Sequence, residues 1–260
     1  MASFPQTVTA PPPPPLSHPL SLPTPSPLVT KFHDMFERLT TLEEARDLSV
    51  RERDGKDSDE GNHIPEGNNQ LSLVYGEFGP EAMINMFNRF SKHSQVTSSF
   101  LDIGSGTAKV LIAAAMLGTF TTVVGVETIE SLHEAALRNV ATYREAAPDD
   151  ILKCIHGDAL VKDTYTMNKA ALSCFKHVFC NATMFSETMM SSLSKLPFDP
   201  GTLFVTCTNK LDEVRWEQVD EWCEEVNGNW GNKTTLRMFK RREKRETFIR
   251  MTAKKMSSAR

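Results

Sequence analysis

No two of the five cysteines in this 260-residue chain form a Cys-x-x-Cys pair, and none of the seven histidines belongs to a His-Glu-x-x-His run. A zinc site built on paired cysteines and a metalloprotease helix are thereby excluded, and no metal is expected. Most of Cys154, Cys174, Cys180, Cys207 and Cys223 sit in apolar runs, as free thiols of a reducing compartment do. No apolar run approaches the roughly 18 residues that span a bilayer, so no membrane partner is expected. Residues 1–29 contain no Asp, Glu, Lys or Arg but ten prolines, including Pro11 to Pro15. The segment lacks the apolar core of a signal peptide and the arginines of a mitochondrial transit peptide. It cannot bury enough apolar surface to offset chain entropy, and reads as a disordered spacer of polyproline II character.

The rest of the chain has an ordinary globular composition, with charge unevenly spread. The net charge is −4, yet Arg237 to Arg260 holds ten Lys or Arg against two Glu, an excess of +8 that leaves −12 on the preceding 236 residues. This basic segment, 237–260, is a candidate for nucleic-acid contact, and its cluster from Lys240 to Arg245 for a nuclear-import signal. A solvated hairpin tip accounts for it equally well. The length suits one domain of about 180–200 residues with a tail. The expected division is a tail over 1–30, a helix and polar linker over 31–70, and a catalytic-sized domain over 71–256.

Apolar residues at helical spacing, Phe32, Met35, Phe36, Leu39 and Leu42, predict a short helix from Lys31 to about Leu48; the polar stretch from Ser49 to Asn69 reads as a loop. From there β-branched apolar runs at 97–103, 121–127, 151–156, 175–181 and 201–207 predict buried strands. Helical spacing at 80–91, 107–117, 129–144, 186–195 and 213–226 predicts the helices between and after them. Thr234–Lys240 and Glu246–Ala253 read as an antiparallel hairpin. The expected fold is α/β and Rossmann-like: a mostly parallel seven-stranded sheet, helices on both faces, closed by that hairpin. The pattern resembles class I methyltransferases.

The first predicted strand of this sheet runs into a glycine-rich turn in Ser99 to Lys109, SFLDIGSGTAK. Such a turn lets backbone approach a ligand closely, and the helix after it offers unpaired N–H groups. A dinucleotide fingerprint needs Gly or Ala at position 109, which here is Lys109. The alternative, Asp-x-Gly-x-Gly-x-Gly, is met except for Ala108 at its last position, and resembles the first motif of S-adenosylmethionine-dependent methyltransferases. An acid before the glycines suits a ligand whose methionine end carries an ammonium group. Glu127, ending the second strand, is placed for ribose hydroxyls, and Asp158, after the third, for an adenine amino group.

Upstream lies Tyr75-Gly76-Glu77. Its order before Asp-x-Gly-Ser-Gly, with Gly-Val-Glu and Gly-Asp following, resembles the disruptor-of-telomeric-silencing ("Dot-one") family of histone lysine methyltransferases over about residues 71–207. The resemblance implies an enzyme that transfers a methyl group from S-adenosylmethionine to a lysine in the core of histone H3, with nucleosomes as partner and the nucleus, otherwise the cytoplasm, as location. It implies that the Tyr75 loop closes over the methionine part of the cofactor with Glu77 near its charged end. Asp102, Gly104 and Gly106 would lie beneath, Glu127 on the ribose and Asp158 on the adenine. Asn181 matches the first of the family's two consecutive asparagines after the fourth strand, while Ala182 replaces the second, which lines the lysine channel. Lys109 and Ala159 depart from the family's Gln and Phe. Tyr75, Asn181 and Phe185 are the residues expected to shape the acceptor channel, Tyr75 and Asn181 being expected to contact the cofactor as well. Other readings stay open: a class I methyltransferase acting on a non-histone protein or a small molecule, a non-catalytic cofactor-binding module, and, disfavoured by Lys109 and Asp102, a nicotinamide oxidoreductase.

Overall fold

The computed structural model describes residues 27–56, 75–94, 99–148, 150–167, 171–227, 233–243, 246 and 249–250. Nearly all of the proline tail, and residues 57–69 of the expected loop, lie outside them. Seven helices, α1 (Pro27–Phe36), α2 (Leu42–Lys56), α3 (Pro80–His93), α4 (Lys109–Met116), α5 (Glu130–Ala146), α6 (Lys162–Met167) and α7 (Glu187–Lys195), are described. The strands are β1 (Glu77–Phe78), β2 (Ser99–Ile103), β3 (Thr122–Glu127), β4 (Leu152–His156), β5 (Phe175–Cys180), β6 (Leu203–Cys207), β7 (Trp216–Asn227) and β8 (Lys233–Arg241). They form one sheet in the order β1-β7-β8-β6-β5-β2-β3-β4. Strands β2 to β6 are parallel, and β8 and β7 close one side antiparallel. Among the described residues six of the seven expected strands are present, as β2 to β6 and β8, and the sheet also holds β7 and the two-residue β1 paired to its end.

Alternation along the strands covers the sheet on both faces. Phe100, Val123, Phe179, Val205 and Met238 face one core, filled by α1, α3, α4 and α5. Leu101, Val124, Val178, Phe204 and Phe239 face the other, where Tyr165 of α6 and Met190 and Leu193 of α7 pack. Side chains at successive positions point to opposite faces, so apolar residues throughout a strand mean burial on both. The class I methyltransferase fold is thus present.

Three expectations are corrected. Residues 213–226 do not form a helix; most of them belong to β7, which pairs with β8, so the closing hairpin is 216–227 with 233–241. The misreading has a physical cause. Between Gln218 and Asp220 the register shifts, Val219 being the extra residue. A bulge reverses which face later residues take. Trp216 therefore packs in one core and Trp222 in the other, although both positions are even. The resulting spacing of Trp216, Val219 and Trp222 imitates a helical stripe. The supposed last strand, 246–253, is helical where it is described, at 246 and 249–250. The single helix expected over 31–48 is two, and Ser49 to Lys56, taken as loop, continues the second. Thr41 starts that helix with a reciprocal cap: its backbone N–H donates to Glu44 Oε2 at 2.7 Å, and Glu44 N–H to Thr41 Oγ1 at 3.2 Å.

Both N-terminal helices pack on the domain. Phe32 is fully buried and Met35 and Leu39 nearly so. The carboxylate of Glu52 accepts hydrogen bonds from the N–H groups of Glu130 and Ser131 at 3.1 and 2.8 Å, meeting the positive N-terminal end of α5.

Candidate active site

Chain order runs outward from β2 in both directions, to β3 and β4 on one side and to β5 and β6 on the other. The crevice at the C-terminal ends of β2 and β5 is therefore the switch point where such sheets bind ligands. In this crevice lies a cleft with a cavity volume of about 110 Å³, concave and mostly apolar as small-molecule sites are. Tyr75, Gly104, Glu127, Asp158, Asn181 and Phe185 all line it, joined by apolar Ile129, Leu132, Met189 and Leu193. A recess beside it is lined by Glu77, Asp102, Lys109 and Phe179, again with Tyr75, Gly104 and Asn181.

The backbone of the glycine turn is tied to the end of β3. The N–H groups of Gly104 and Ser105 both donate to Val126 C=O, at 2.8 and 3.1 Å, with Gly104 left-handed at φ +75°. Gly106 does not line the cleft because the Tyr75 ring lies on it. A β-carbon at position 106 would stand 2.3 Å from Tyr75 Cε2. Only glycine lets the ring settle there. Ala108 adopts the left-handed conformation (φ +67°) with its methyl fully buried, so the replaced third glycine keeps the backbone shape.

Two buried carboxylates stand beneath the site in opposite states. Glu127 is saturated on its protein side: Oε2 accepts from Gly106 N–H at 2.7 Å, and Oε1 from Thr128 and Ile129 N–H at 2.9 and 2.8 Å. Burial pushes its carboxyl above the usual range, against the pull of those amides. A carboxylate has about four lone-pair positions, so about one remains for a hydroxyl. A grip on two hydroxyls requires one amide to yield. Asp102 is the reverse case, with Oδ1 buried and without a hydrogen-bond partner. Burial first, and the Glu127 charge second, push its carboxyl well above the ordinary aspartate value. A buried acceptor left open in a recess is a place for a donor that the protein does not itself supply. The ammonium end of S-adenosylmethionine is such a donor, and the residues present fit that cofactor.

Glu77 is committed inside the protein. Its Oε1 accepts from the Tyr75 hydroxyl at 2.6 Å, and its Oε2 pairs with Lys109 Nζ at 2.7 Å, both partners of the ion pair being nearly buried. Tyr75 also meets Thr107 Oγ1 at 3.0 Å, and burial beside the Glu77 charge raises its hydroxyl pKa well above 10. The network pins the Tyr75 loop onto the glycine turn. Of the two carboxylates in this recess, Asp102 is the one with an oxygen left without a partner. Asp158 lines the cleft while its Oδ1 accepts from Leu160 N–H at 2.8 Å.

Asn181, the residue after β5, reaches back to the same loop. Its Nδ2 donates to Gly76 C=O at 3.3 Å and its Oδ1 accepts from Thr183 Oγ1 at 2.9 Å. Position 182 does not line the cleft: the Ala182 methyl is fully buried in the core below the sheet. The amide expected to be missed there would not face the cleft in this chain. Sequence reading overlooked Asn139, whose Oδ1 accepts from Thr40 N–H at 2.9 Å and whose Nδ2 donates to Thr107 C=O at 2.9 Å. It ties the N-terminal helices to the glycine turn, and a lone Asn within a helical pattern gives no signal of it. Of the basic segment, Arg237 pairs with Glu221, Arg242 with Glu217, and Arg241 lies over the Trp216 ring. These three serve the hairpin. Most of 244–260 lies outside the described residues. Among the described residues no group of three or more metal-ligating side chains occurs, and no helix is long and apolar enough to cross a membrane.

The family described as histone methylation protein DOT1 matches residues 61–207. No curated protein sequence matches the chain. Among solved structures it is similar to an RNA methyltransferase from Salinibacter ruber bound to S-adenosyl-L-homocysteine, at 20% identity over 65% of this chain and 95% of that one, TM-score 0.43. It is also similar to a putative RNA methyltransferase from Pyrococcus horikoshii, at 12% identity over 79% and 100%, TM-score 0.47. An arsenic(III) S-adenosylmethionine methyltransferase from Chlamydomonas reinhardtii resembles it at 14% identity over 56% and 64%, TM-score 0.40. Likeness of this degree carries no functional inference.

Proposed function

The chain belongs to the DOT1 family of histone methylation proteins, and from that premise we propose that it methylates the side-chain amine of a protein lysine, with the core of histone H3 in nucleosomes as substrate. It is an S-adenosylmethionine-dependent methyltransferase, and the cofactor supplies an electrophilic methyl group on a sulfonium. A nuclear site of action, with DNA contact through the basic 237–260 segment, belongs to the same proposal. The observation that carries it is the meeting of Tyr75 with Asn181 and Phe185, about a hundred residues further along the chain, on the cleft that Glu127 and Asp158 also line.

In the proposed reaction the chain's task is alignment. Glu127 and Asp158 hold the nucleoside part, and Asp102 takes the ammonium end. Tyr75, fixed by Glu77 and Thr107, covers the turn and excludes water. With the cofactor bound, an amine would attack the methyl carbon in line as the carbon–sulfur bond breaks and its electron pair stays on sulfur, leaving S-adenosyl-L-homocysteine; holding the two in register contributes roughly 7–11 kcal/mol without a strong base. The amine must first be neutral, and apolar Phe185, Met189 and Leu193 disfavour its charged form.

The test is a labelled-methyl assay on nucleosomes and on whole-cell lysate, with Asn181→Ala in parallel. Label is expected on histone H3, and Asn181→Ala is expected to lower turnover at least about tenfold, as misplacement of a reacting group does. Label found only on non-histone protein or small metabolites overturns the histone assignment. Wild-type turnover in Asn181→Ala overturns the channel.

A further inference from the structure

We propose that Asn209, two residues beyond the span matched by the family, is a positioning residue that holds the acceptor wall from Asn181 to Phe185. The inference rests on the channel assignment made above. The Asn209 Nδ2 group donates to the carbonyl of Ala182 at 2.6 Å and to that of Phe185 at 3.2 Å. Both N–H bonds of one amide thus clamp the two ends of the short turn that carries Phe185 into the cleft. Within and beside that turn Ala182 N–H donates to Cys180 C=O at 2.9 Å, Phe185 N–H to Ala182 C=O at 3.1 Å, and Thr183 Oγ1 to Asn181 Oδ1 at 2.9 Å, all of them bonds to near neighbours in the chain. The Ala182 methyl lies in the core on that face of the sheet, and the Phe185 ring packs against the same core.

Asn209 is aimed by a strained turn. Its N–H donates to Cys207 C=O at 2.6 Å, which closes a three-residue loop around Thr208 at φ +62°. A β-branched residue rarely adopts that conformation, and the tight turn it makes persists only where its surroundings enforce it. Here they do so on every side. Thr206 Oγ1 donates to Asn209 C=O at 2.6 Å, Thr208 N–H to Thr235 C=O at 2.7 Å, and the Arg237 guanidinium to Thr208 C=O. Strain fixed at the C-terminal end of a strand, beside a ligand cleft, is the usual mark of a part placed for function.

The test compares Asn209→Asp, which keeps the shape but replaces the donor by an acceptor facing two carbonyls, with Asn209→Ala. Three readouts are taken on the full chain: hydrogen–deuterium exchange of residues 182–186, calorimetric binding of S-adenosyl-L-homocysteine, and labelled-methyl transfer to nucleosomes. For Asn209→Asp the amides of 182–186 are expected to exchange at least about tenfold faster, with β5 and β6 unchanged. Binding of S-adenosyl-L-homocysteine is expected to stay within about twofold, while kcat on nucleosomes falls at least about tenfold, since loosening the wall displaces the acceptor and not the cofactor. Asn209→Ala should show the same split in milder form, leaving the carbonyls unpaired but not repelled. Unchanged exchange at 182–186 in both variants overturns the inference. So does weakening of S-adenosyl-L-homocysteine binding in proportion to lost turnover, the result of a merely structural role. If the wild-type chain methylates no nucleosomes, the substrate reading fails by itself, and the exchange and binding measurements still decide the clamp.

Discussion

Asp102 is where the fold gives up stability for binding. Its carboxyl is buried, without a partner on Oδ1, and held above its ordinary value of 3.8 by burial and by Glu127. Over the window from 3.8 up to that raised value the folded chain holds a proton that the unfolded chain has lost. Stability therefore falls as pH rises through this window. A ligand ammonium pairs with the charged form, so affinity for the cofactor rises over the same window. Asp102→Asn is expected to stabilise the ligand-free protein at neutral pH and to flatten its pH dependence. It should also weaken S-adenosyl-L-homocysteine roughly 10- to 100-fold, since a hydrogen bond to a charged group contributes about 1.5–3 kcal/mol. Urea unfolding from about pH 5 to 9, paired with calorimetric titration, checks both directions. Loss of affinity without gain of stability would mean that Asp102 is not an open acceptor. The Lys109–Glu77 pair makes a contrasting case, because both side chains are nearly buried and fully engaged. Lys109→Met should cost about 3–5 kcal/mol by stranding a buried carboxylate. Adding Glu77→Gln should recover most of that, and a double-mutant cycle in urea measures it.

At the level of elements, the hairpin of β7 and β8 offers a paired comparison. Trp216 and Trp222 flank the bulge and are buried in opposite cores. Trp216 Nε1 donates to Ser194 C=O at 3.0 Å, whereas Trp222 Nε1 is buried without a partner. Replacement by Phe removes similar area from each. It deletes a hydrogen bond of about 1 kcal/mol in the first and relieves a desolvated N–H costing about 1–3 kcal/mol in the second. Trp216→Phe is therefore expected to be the more destabilising by about 2–4 kcal/mol in urea unfolding, and equal losses would contradict the hydrogen-bond assignment. The same hairpin marks the limit of what the sequence makes legible. Strands β2, β3, β5 and β6 are readable because burial on both faces writes itself as mostly apolar runs, and the edge strand β4 because Leu152 and Ile155 remain buried within a β-rich pattern. β7 is not, because one extra residue at the bulge shifts its alternation into a helix-like spacing. Asp102, Glu127 and Asp158 are legible because each ends a strand or follows one in a turn. Asn209 is illegible because its role comes from a strained backbone that no residue type announces, and Ala182 misleads because the face a residue takes after a strand depends on that same local backbone.

Across the whole molecule, the unit that binds cofactor begins earlier than the pattern of strands suggests. Phe32, Met35 and Leu39 lie in the same core as α3 and α4. Burial of three such side chains contributes roughly 5–9 kcal/mol, against a total stability of about 5–15 kcal/mol for a typical domain. The N-terminal helices also act on the site itself. Thr40 holds Asn139, and Asn139 holds the carbonyl of Thr107 in the glycine turn, while Glu52 caps the helix that follows Glu127. A chain beginning at residue 71, where the sequence pattern puts the domain's start, is therefore expected to lack a cooperative thermal transition and to bind S-adenosyl-L-homocysteine poorly or not at all. A chain beginning at residue 27 retains every contact named here and should match the full protein in both respects. Circular dichroism melting and calorimetric titration of the two truncations separate the cases. If the shorter chain melts cooperatively at the temperature of the longer one, α1 and α2 are an appendage. If it melts lower but binds normally, the core depends on these helices while the link from Thr40 through Asn139 to the glycine turn does not govern the site.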